Sequence, residues 1–418
     1  MKRILLLFTT TGYNAQDFIE AARKLNFKVI PGTDRCDVLD DPWKDGALPL
    51  RFTRPSEAAQ KILDYARNHP IDAIISVGDS TTIAGALATR KLRLIGNSPE
   101  SVKSCHSKLL SRKILKKAGI PVPDFQNILL SQDAKKLSKS IKFPCVLKPL
   151  SLSTSQGVIR ANDCTSFVKA FHRVQKLLQL PRIQKYQPFD LDQILVEDYL
   201  DGQEFALEGL LNNGKLKTLA LFDKPDPLQG PFFEETIYTT PSRLPTRLQK
   251  ELLSCCQKAS QALGLTDGPI HAELRLNREG PWIIEIAPRT IGGLCSRALR
   301  FGIGMSLEEI HIRHKFKMPI PSLKLKDRSA GVMMLPIKRK GILRRVSGLK
   351  QALSIQGIVD VTVTAKKGQL LIPPPEGDSY LGFLFARGSS SEKVEKILKT
   401  AHQQLSFDVY PEVPVLSS

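Results

Sequence analysis

His271-Ala272-Glu273-Leu274-Arg275-Leu276-Asn277-Arg278-Glu279-Gly280-Pro281-Trp282-Ile283-Ile284-Glu285-Ile286-Ala287-Pro288-Arg289 reads as two extended runs joined by the turn Asn277-Arg278-Glu279-Gly280. Pairing the runs through that turn sets Glu273 and Glu285 side by side, with Arg289 just beyond. Glu285 stands in a strand otherwise built of Ile and Trp, where a lone carboxylate is hard to keep ionised. A divalent cation between two close carboxylates makes them tolerable, and hard oxygen ligands suit Mg²⁺ that phosphates also hold. The competing reading is a pair of polar residues on the wet face of a hairpin.

Working outward, Leu195-Val196-Glu197-Asp198-Tyr199-Leu200-Asp201-Gly202-Gln203-Glu204-Phe205 sets a short polar hinge between two extended runs. That arrangement offers backbone C=O and N–H groups and one acid to a flat ligand; the alternative is a hairpin with an exposed acidic turn. Further upstream, Phe143–Pro149 predicts a strand ending at Lys148, followed by the small-residue loop Ser151–Gly157. A lysine at the end of a buried strand is costly unless it meets an anion, and the loop offers hydroxyls and N–H groups to phosphate oxygens. G-x-x-x-x-G-K-[ST] is absent, so this is not a Walker loop. By itself the loop reads equally as a flexible connector.

From residue 1 to about 95, apolar runs alternate with helical patterns (Ile4–Phe8, Phe18/Ala21/Ala22/Leu25, Val29-Ile30, Ala58–Ala66, Ile71–Val77), which predicts a parallel α/β layer. Ligands collect at the carboxyl ends of such strands, which points to Thr9–Gly12 and Gly78-Asp79-Ser80. Asp79 is a substrate contact or a plain helix cap. Pro99 opens a cationic helix expected to run through Ala118 and to end at Gly119-Ile120-Pro121. A linker is expected at about Leu180–Asp190, and Pro319 and Pro321 mark a boundary before a small α+β unit.

The chain has 418 residues, 42% of them apolar, enough for two to four domains at roughly 100–200 residues each. Its 61 Lys and Arg against 41 Asp and Glu give +20, pointing to anionic partners. Residues 311–350 alone hold twelve Lys and Arg against the single Asp327. Aromatics at 6% weaken a base-stacking role. Met1–Phe8 lacks a small-residue cleavage site and reads as a strand, and no run approaches the ~18 apolar residues of a membrane span, so a soluble chain is expected. Seven cysteines form no C-x-x-C pair; reduced, packed thiols in a cytoplasmic protein are the expectation.

The three groups, in their order along the chain, resemble the ATP-grasp superfamily and within it the carboxylate–amine ligases similar to bacterial L-amino acid ligases. The resemblance covers nearly the whole chain. It implies an α/β and α+β multidomain fold: a Rossmann-like pre-ATP-grasp domain over 1–95, a linker helix and small ATP-grasp lobe over 96–190, a large lobe over 191–318, and a C-terminal domain over 319–418. By that match the backbone of Glu197 and Leu200 binds the adenine edge of ATP and Glu204 holds the ribose hydroxyls. Lys108 and Lys148 resemble the family lysines that reach the phosphates, and Ser151–Gly157, with Ser155 and Gly157, resembles the loop that closes over them. Glu273 and Glu285 match the ligands of Mg²⁺, with Mn²⁺ as the alternative ion, and Arg289 matches the arginine that steadies the reacting carboxylate. Gly292 and Gly293 match glycines that let substrate approach the backbone, and Glu235 falls near a glutamate for the substrate amino group.

One departure stands out: the commoner pattern is Glu-x-Asn-x-Arg, and Ala287 occupies the Asn position. The implied activity is ATP-dependent amide formation through an acyl phosphate, with amino acids as the acid and amine, in a family where homodimers are common. The alternatives are a different acceptor, bicarbonate or a protein terminus, and a basic nucleic-acid or surface binder on a retained ATP fold. The basic block lacks aromatics and any helix-turn-helix or zinc pattern, which favours a solvated surface or an electrostatic funnel.

Overall fold

The computed structural model describes residues 1–35, 46–186, 190–226, 230–233 and 236–411. The apolar run at the amino terminus becomes strand Arg3–Phe8, with Ile4 to Leu7 almost fully buried. It sits inside a parallel sheet ordered Leu48–Pro49, Lys28–Thr33, Arg3–Phe8, Ala73–Ser76. A strand that is apolar on both faces needs cover on both. Phe18, Ala21 and Ala22 of helix Ala15–Lys24 cover Ile4 and Leu6, while helices Pro55–Asn68 and Asp79–Lys91 cover Leu5 and Leu7. Asp79 thereby stands near the carboxyl end of Ala73–Ser76, in the first turn of its helix.

The helix expected from Pro99 through Ala118 is two helices, Pro99–His106 and Lys108–Lys117. Ser107 breaks it: its backbone is extended, and its hydroxyl accepts from the Leu110 N–H as the second helix's N-cap. The break starts the second helix at Lys108. Part of the expected linker, in turn, is helix Pro181–Tyr186.

Four antiparallel strands, in the order Phe125–Leu129, Gln193–Asp198, Cys145–Pro149, Ile159–Ala161, form a second sheet. Helix Cys164–Leu178 covers it through Phe167, Phe171 and Val174. The largest sheet has eight antiparallel strands, ordered Gly280–Ala287, Gly268–Asn277, Gln203–Asn212, Lys215–Lys224, Ile237–Thr240, Ser329–Leu335, Gly382–Gly388, Ile358–Val363. Period-two alternation sends Phe205, Leu207, Ile270, Ala272 and Leu274 against helix Thr246–Ala262. The same alternation turns Glu204, Glu208, His271, Glu273 and Arg275 to the opposite face.

This sheet runs without a break across the boundary expected at residue 319, because Ile237 pairs with Met333 and Thr240 with Ala330. Pro319 and Pro321 end a helical segment, but every residue of Ser329–Leu335 is buried, and such a strand is satisfied only by neighbours on both edges. A small sheet (Leu370–Leu371, Gly341–Ser347, Ser406–Tyr410) and helix Ser391–Gln403 complete the C-terminal α+β segment. The basic block divides: Lys315 reaches Asp267 at 3.3 Å, Arg313 reaches Glu309 at 3.0 Å and Arg345 reaches Asp408 at 2.8 Å, while Lys338, Arg339 and Lys340 are exposed. Five of the six described cysteines are buried, and none of the six is in a disulfide. Among the described residues no helix is long and apolar enough to cross a membrane.

Candidate functional site

A cleft between the four-stranded and eight-stranded sheets gathers Lys108, Lys148, Glu197, Leu200, Glu204, Glu273, Glu285, Arg289, Gly292 and Gly293. Its floor is the hairpin Gly268–Asn277/Gly280–Ala287, whose ladder runs from Asn277↔Gly280 to Glu273↔Glu285. The two carboxylates are direct cross-strand partners, beside a bulge between Glu273 and Leu274. Glu273 lies 3.8 Å from Lys224 Nζ and 3.5 Å from His271 Nε2, and Glu285 lies 4.0 Å from Lys108 Nζ. Their side chains are 21% and 32% exposed, open enough to meet a bound ion. Among the described residues no three His, Cys, Asp or Glu side chains are grouped to hold a metal by themselves. Two adjacent carboxylates fit a Mg²⁺ that takes its other oxygens from phosphate and water. Ala287, opposite His271 in the ladder, offers no side-chain ligand.

The start of the second helix at Ser107 aims Lys108 at the small-residue loop: its N–H donates to the Leu150 carbonyl at 3.2 Å and its Nζ to the Leu152 carbonyl at 2.6 Å. One turn on, Arg112 is buried, donating to the Glu197 carboxylate at 2.6 Å and to the Ile284 carbonyl at 2.8 Å. Lys148 Nζ is 2.5 Å from the other Glu197 oxygen. Burial pushes the Glu197 carboxyl up, but Arg112 and Lys148 outweigh it and bring it down to about 2. The Glu197 side chain is thus a fixed anion that orients Lys148.

Beyond the hinge, Glu204 pairs with Lys224 and, at 3.1 Å, with Arg275, which also donates to the Leu200 carbonyl. Arg160 lies over the Tyr199 ring at 3.9 Å and Arg275 at 5.3 Å. Val146, Val158, Tyr199, Leu200, Phe233 and Ile284 make this end of the cleft apolar and flat-sided. Ser153, Thr154 and Ser155 line the cleft opening, Thr154 and Ser155 both with left-handed backbone. Gly157, expected as a nucleotide contact, is buried behind the loop and donates its N–H to the Pro375 carbonyl at 2.8 Å. Its φ of +74° turns the chain there, and a Cβ would lie 2.6 Å from Pro149 Cγ. The neighbouring Glu376 carbonyl accepts from Gln156 and Arg182, and its carboxylate meets Arg173 at 2.5 and 2.9 Å.

Arg289 follows Glu285 and turns its guanidinium onto Asp79, Nε to Oδ1 at 2.7 Å and Nη2 to Oδ2 at 2.7 Å. Burial raises the Asp79 carboxyl, yet the Arg289 charge and hydrogen bonds leave it below the usual range. Glu208 anchors the next residues: one oxygen accepts from the Ile291 N–H at 3.1 Å, the other meets His271 Nδ1 at 2.5 Å. Burial would lower His271, but Glu208 outweighs it and holds the ring at about 9. Glu235 lies outside the described residues.

Arg112, Glu208, Lys224 and His271 were not singled out from the sequence. Arg112 could have been found from its spacing with Lys108 and Leu115, which places all three on one helix face. Glu208 lies four residues from Glu204 in an alternating strand, hence on the same face.

Residues 141–298 match the ATP-grasp domain family, and residues 333–410 match L-amino acid ligase C-terminal domain 2. Alanine–anticapsin ligase of Bacillus subtilis (strain 168) is 28% identical over 56% of this chain and 52% of its own length, so the chain spans about half of that relative. The L-arginine-specific L-amino acid ligase of Bacillus subtilis is 21% identical over 82% of this chain and 81% of that protein. The crystal structure of L-amino acid ligase from Bacillus licheniformis superposes with a TM-score of 0.83 at 22% identity, covering 98% of this chain and 99% of that one, and so shares its fold.

Proposed function

We propose, from the premise that the chain belongs to the ATP-grasp superfamily and carries an L-amino acid ligase C-terminal domain, that it joins a carboxylate to an amine, with amino acids as both. It is an ATP-dependent ligase forming C–N bonds. In the proposed sequence the carboxylate takes the γ-phosphoryl group of ATP, ADP leaving, to give an acyl phosphate; the neutral amine then attacks its carbonyl carbon, and phosphate leaves as the nitrogen loses a proton and the amide forms.

Phosphoryl transfer asks a protein mainly for positioning and for neutralising charge on the moving group. Held by Glu273 and Glu285, Mg²⁺ supplies part of that neutralisation when bound. Lys108, beside Glu285 and the small-residue loop, and Lys148, oriented by Glu197, supply cations on the protein side. Arg289 presents its guanidinium at the end of the metal strand, where it holds the carboxylate and the acyl phosphate. Val146, Tyr199, Leu200 and Ile284 provide the slot for adenine, and Glu204 the contact for ribose. No covalent nucleophile is required, and burial pushes the thiols of Cys105 and Cys145 up to about 12.

The cross-strand register Glu273↔Glu285, with Lys108 at 4.0 Å and Arg289 on the same strand's end, carries this reading. The test is ADP release by the full chain with ATP, Mg²⁺ and pairs of amino acids, with product mass measured. Amino-acid-dependent ADP release with a dipeptide mass supports it; ADP release that ignores amino acids overturns it.

A further inference from the structure

The small-residue loop faces two ways. Ser153, Thr154 and Ser155 line the cleft opening, while Gln156 and Gly157, next along, turn back and bind a tip of the C-terminal segment. Gly157 N–H donates to the Pro375 carbonyl at 2.8 Å, and Gln156 Nε2 and Arg182 Nη2 donate to the Glu376 carbonyl at 2.7 and 2.8 Å. The Glu376 carboxylate takes both teeth of the Arg173 fork, Nε at 2.5 Å and Nη2 at 2.9 Å. Arg173 stands on helix Cys164–Leu178, which covers the four-stranded sheet, and its guanidinium also lies over the Phe232 ring at 5.0 Å. Phe232 bridges to Ile159, and the Arg160 N–H donates to the Pro231 carbonyl at 2.9 Å. One arginine therefore joins three parts of the chain: the helix on the four-stranded sheet, a segment between two strands of the eight-stranded sheet, and the C-terminal tip.

The four-stranded sheet is tied to the rest of the chain by two unlike ion pairs. On one side Arg112 meets Glu197, with only 2% of each side chain exposed. Parting them would leave two buried charges unpaired, so that tie is permanent. On the other side the side chains of Arg173 and Glu376 are 45% and 29% exposed, and water can replace either partner at small cost. A body fixed firmly along one side and lightly along the other turns about the firm side. Nucleotide held in the cleft beneath it enters and leaves when the light side parts.

We infer that Glu376 is a positioning residue for the nucleotide: paired with Arg173, it latches the four-stranded sheet and its small-residue loop over the cleft, and so sets how tightly nucleotide is held. This rests on the reading of the cleft as an ATP site. Glu376 itself is not among the residues that line the cleft. The covered form meets nucleotide on both sides and the open form on one, so weakening the latch lowers the covered population and the apparent affinity with it. Lys108, Lys148, Glu273, Glu285 and Arg289 keep their own partners when the latch is weakened, so the reacting groups of the covered form are unchanged.

The test is calorimetric titration of the full chain with ADP and Mg²⁺, beside hydrogen exchange of a peptide spanning residues 151–158. It compares wild type with Glu376→Gln, Arg173→Gln and the double variant. Glu376→Gln keeps the main-chain carbonyl that accepts from Gln156 and Arg182 and removes only the charge. Roughly tenfold weaker ADP binding is expected, the scale of one two-toothed charged pair, with faster exchange at Gly157. Arg173→Gln should match it, and the double variant should bind no more weakly than either single one, because all three lack the same bond. In ADP release driven by amino acids, KM for ATP should rise by a similar factor with kcat not lowered. ADP affinity and loop exchange unchanged in both single variants, or a fall in kcat with KM unmoved, overturn the latch and leave the ATP site standing. Losses that add in the double variant overturn the pairing of Glu376 with Arg173 as their source. No ADP binding by the wild type overturns the ATP site and the latch together. Should one single variant fail to fold, the other decides.

Discussion

Arg289 and Asp79 face each other in a two-toothed ion pair, both contacts at 2.7 Å, that ties the strand carrying Glu285 to a helix start in the N-terminal sheet. The arginine proposed to hold the reacting carboxylate is therefore held itself, by a residue 210 positions away. Arg289→Lys keeps the charge but loses the planar fork. We expect kcat to fall by about 100-fold or more, on the scale of losing one transition-state donor, with the thermal melt near wild type. Asp79→Asn should lower kcat as well and cost about 2 kcal/mol of stability. If Asp79→Asn unfolds more easily yet turns over normally, Asp79 serves as an interdomain clamp and does not position Arg289 for chemistry.

Glu273 and Glu285 are partly exposed, so neither is needed to hold the hairpin together. Glu285→Ala is expected to give a folded protein that releases no ADP in the presence of Mg²⁺, ATP and substrate; persistent turnover would remove the metal assignment. Ala287→Asn restores the side chain that the resembling family commonly places there, and should lower the Mg²⁺ concentration for half-maximal ADP release. A titration that does not move would show that position 287 takes no part in metal binding.

Glu197 makes folding sensitive to acid. Its carboxyl sits at about 2 in the folded chain against an ordinary 4.5, worth about 3 kcal/mol by linkage. Because the folded value is the lower one, that stabilisation is present above pH 4.5 and is lost as the pH falls toward 2. Urea denaturation across this range should therefore show a flatter pH response in Glu197→Gln than in wild type. Equal slopes would mean that the buried triad of Arg112, Glu197 and Lys148 does not titrate on unfolding.

The adjacent glycines give opposite expectations. Gly293→Ala must hold a left-handed φ and push a methyl group into Phe383, so its melting temperature should fall by several degrees. Gly292→Ala meets nothing within 4 Å and should melt like wild type while raising KM for the carboxylate substrate. Calorimetry and steady-state kinetics on the pair separate backbone strain from crowding of the cleft.

The hairpin was legible because its physics is local: a two-residue turn and apolar runs on either side pair the two strands, but regular counting from Asn277↔Gly280 would set Glu273 opposite Ile284, and it is the bulge between Glu273 and Leu274 that brings it opposite Glu285. Strand order across residue 319 was not, since nothing near Pro319 signals that Ser329–Leu335 pairs with Ile237–Thr240 some ninety positions earlier. Lys108 was visible as a cation on a helix, but its direction comes from Ser107, whose capping hydroxyl breaks a pattern that periodicity alone continues. Arg112 is one of several cations in the helical stretch after Pro99. Only the approach of Glu197, from a strand 85 residues away, makes its burial sensible.

The bonds from Pro375 and Glu376 to Gly157, Gln156, Arg173 and Arg182 set a condition on building hybrids. A chimera that exchanges the last hundred residues with those of a relative would transplant half of a lock whose other half lies in the first two hundred. Such a graft needs Gln156, Arg173 and Arg182 to travel with it, and the natural seam for recombination in this chain is therefore a three-dimensional surface and not a point in the sequence.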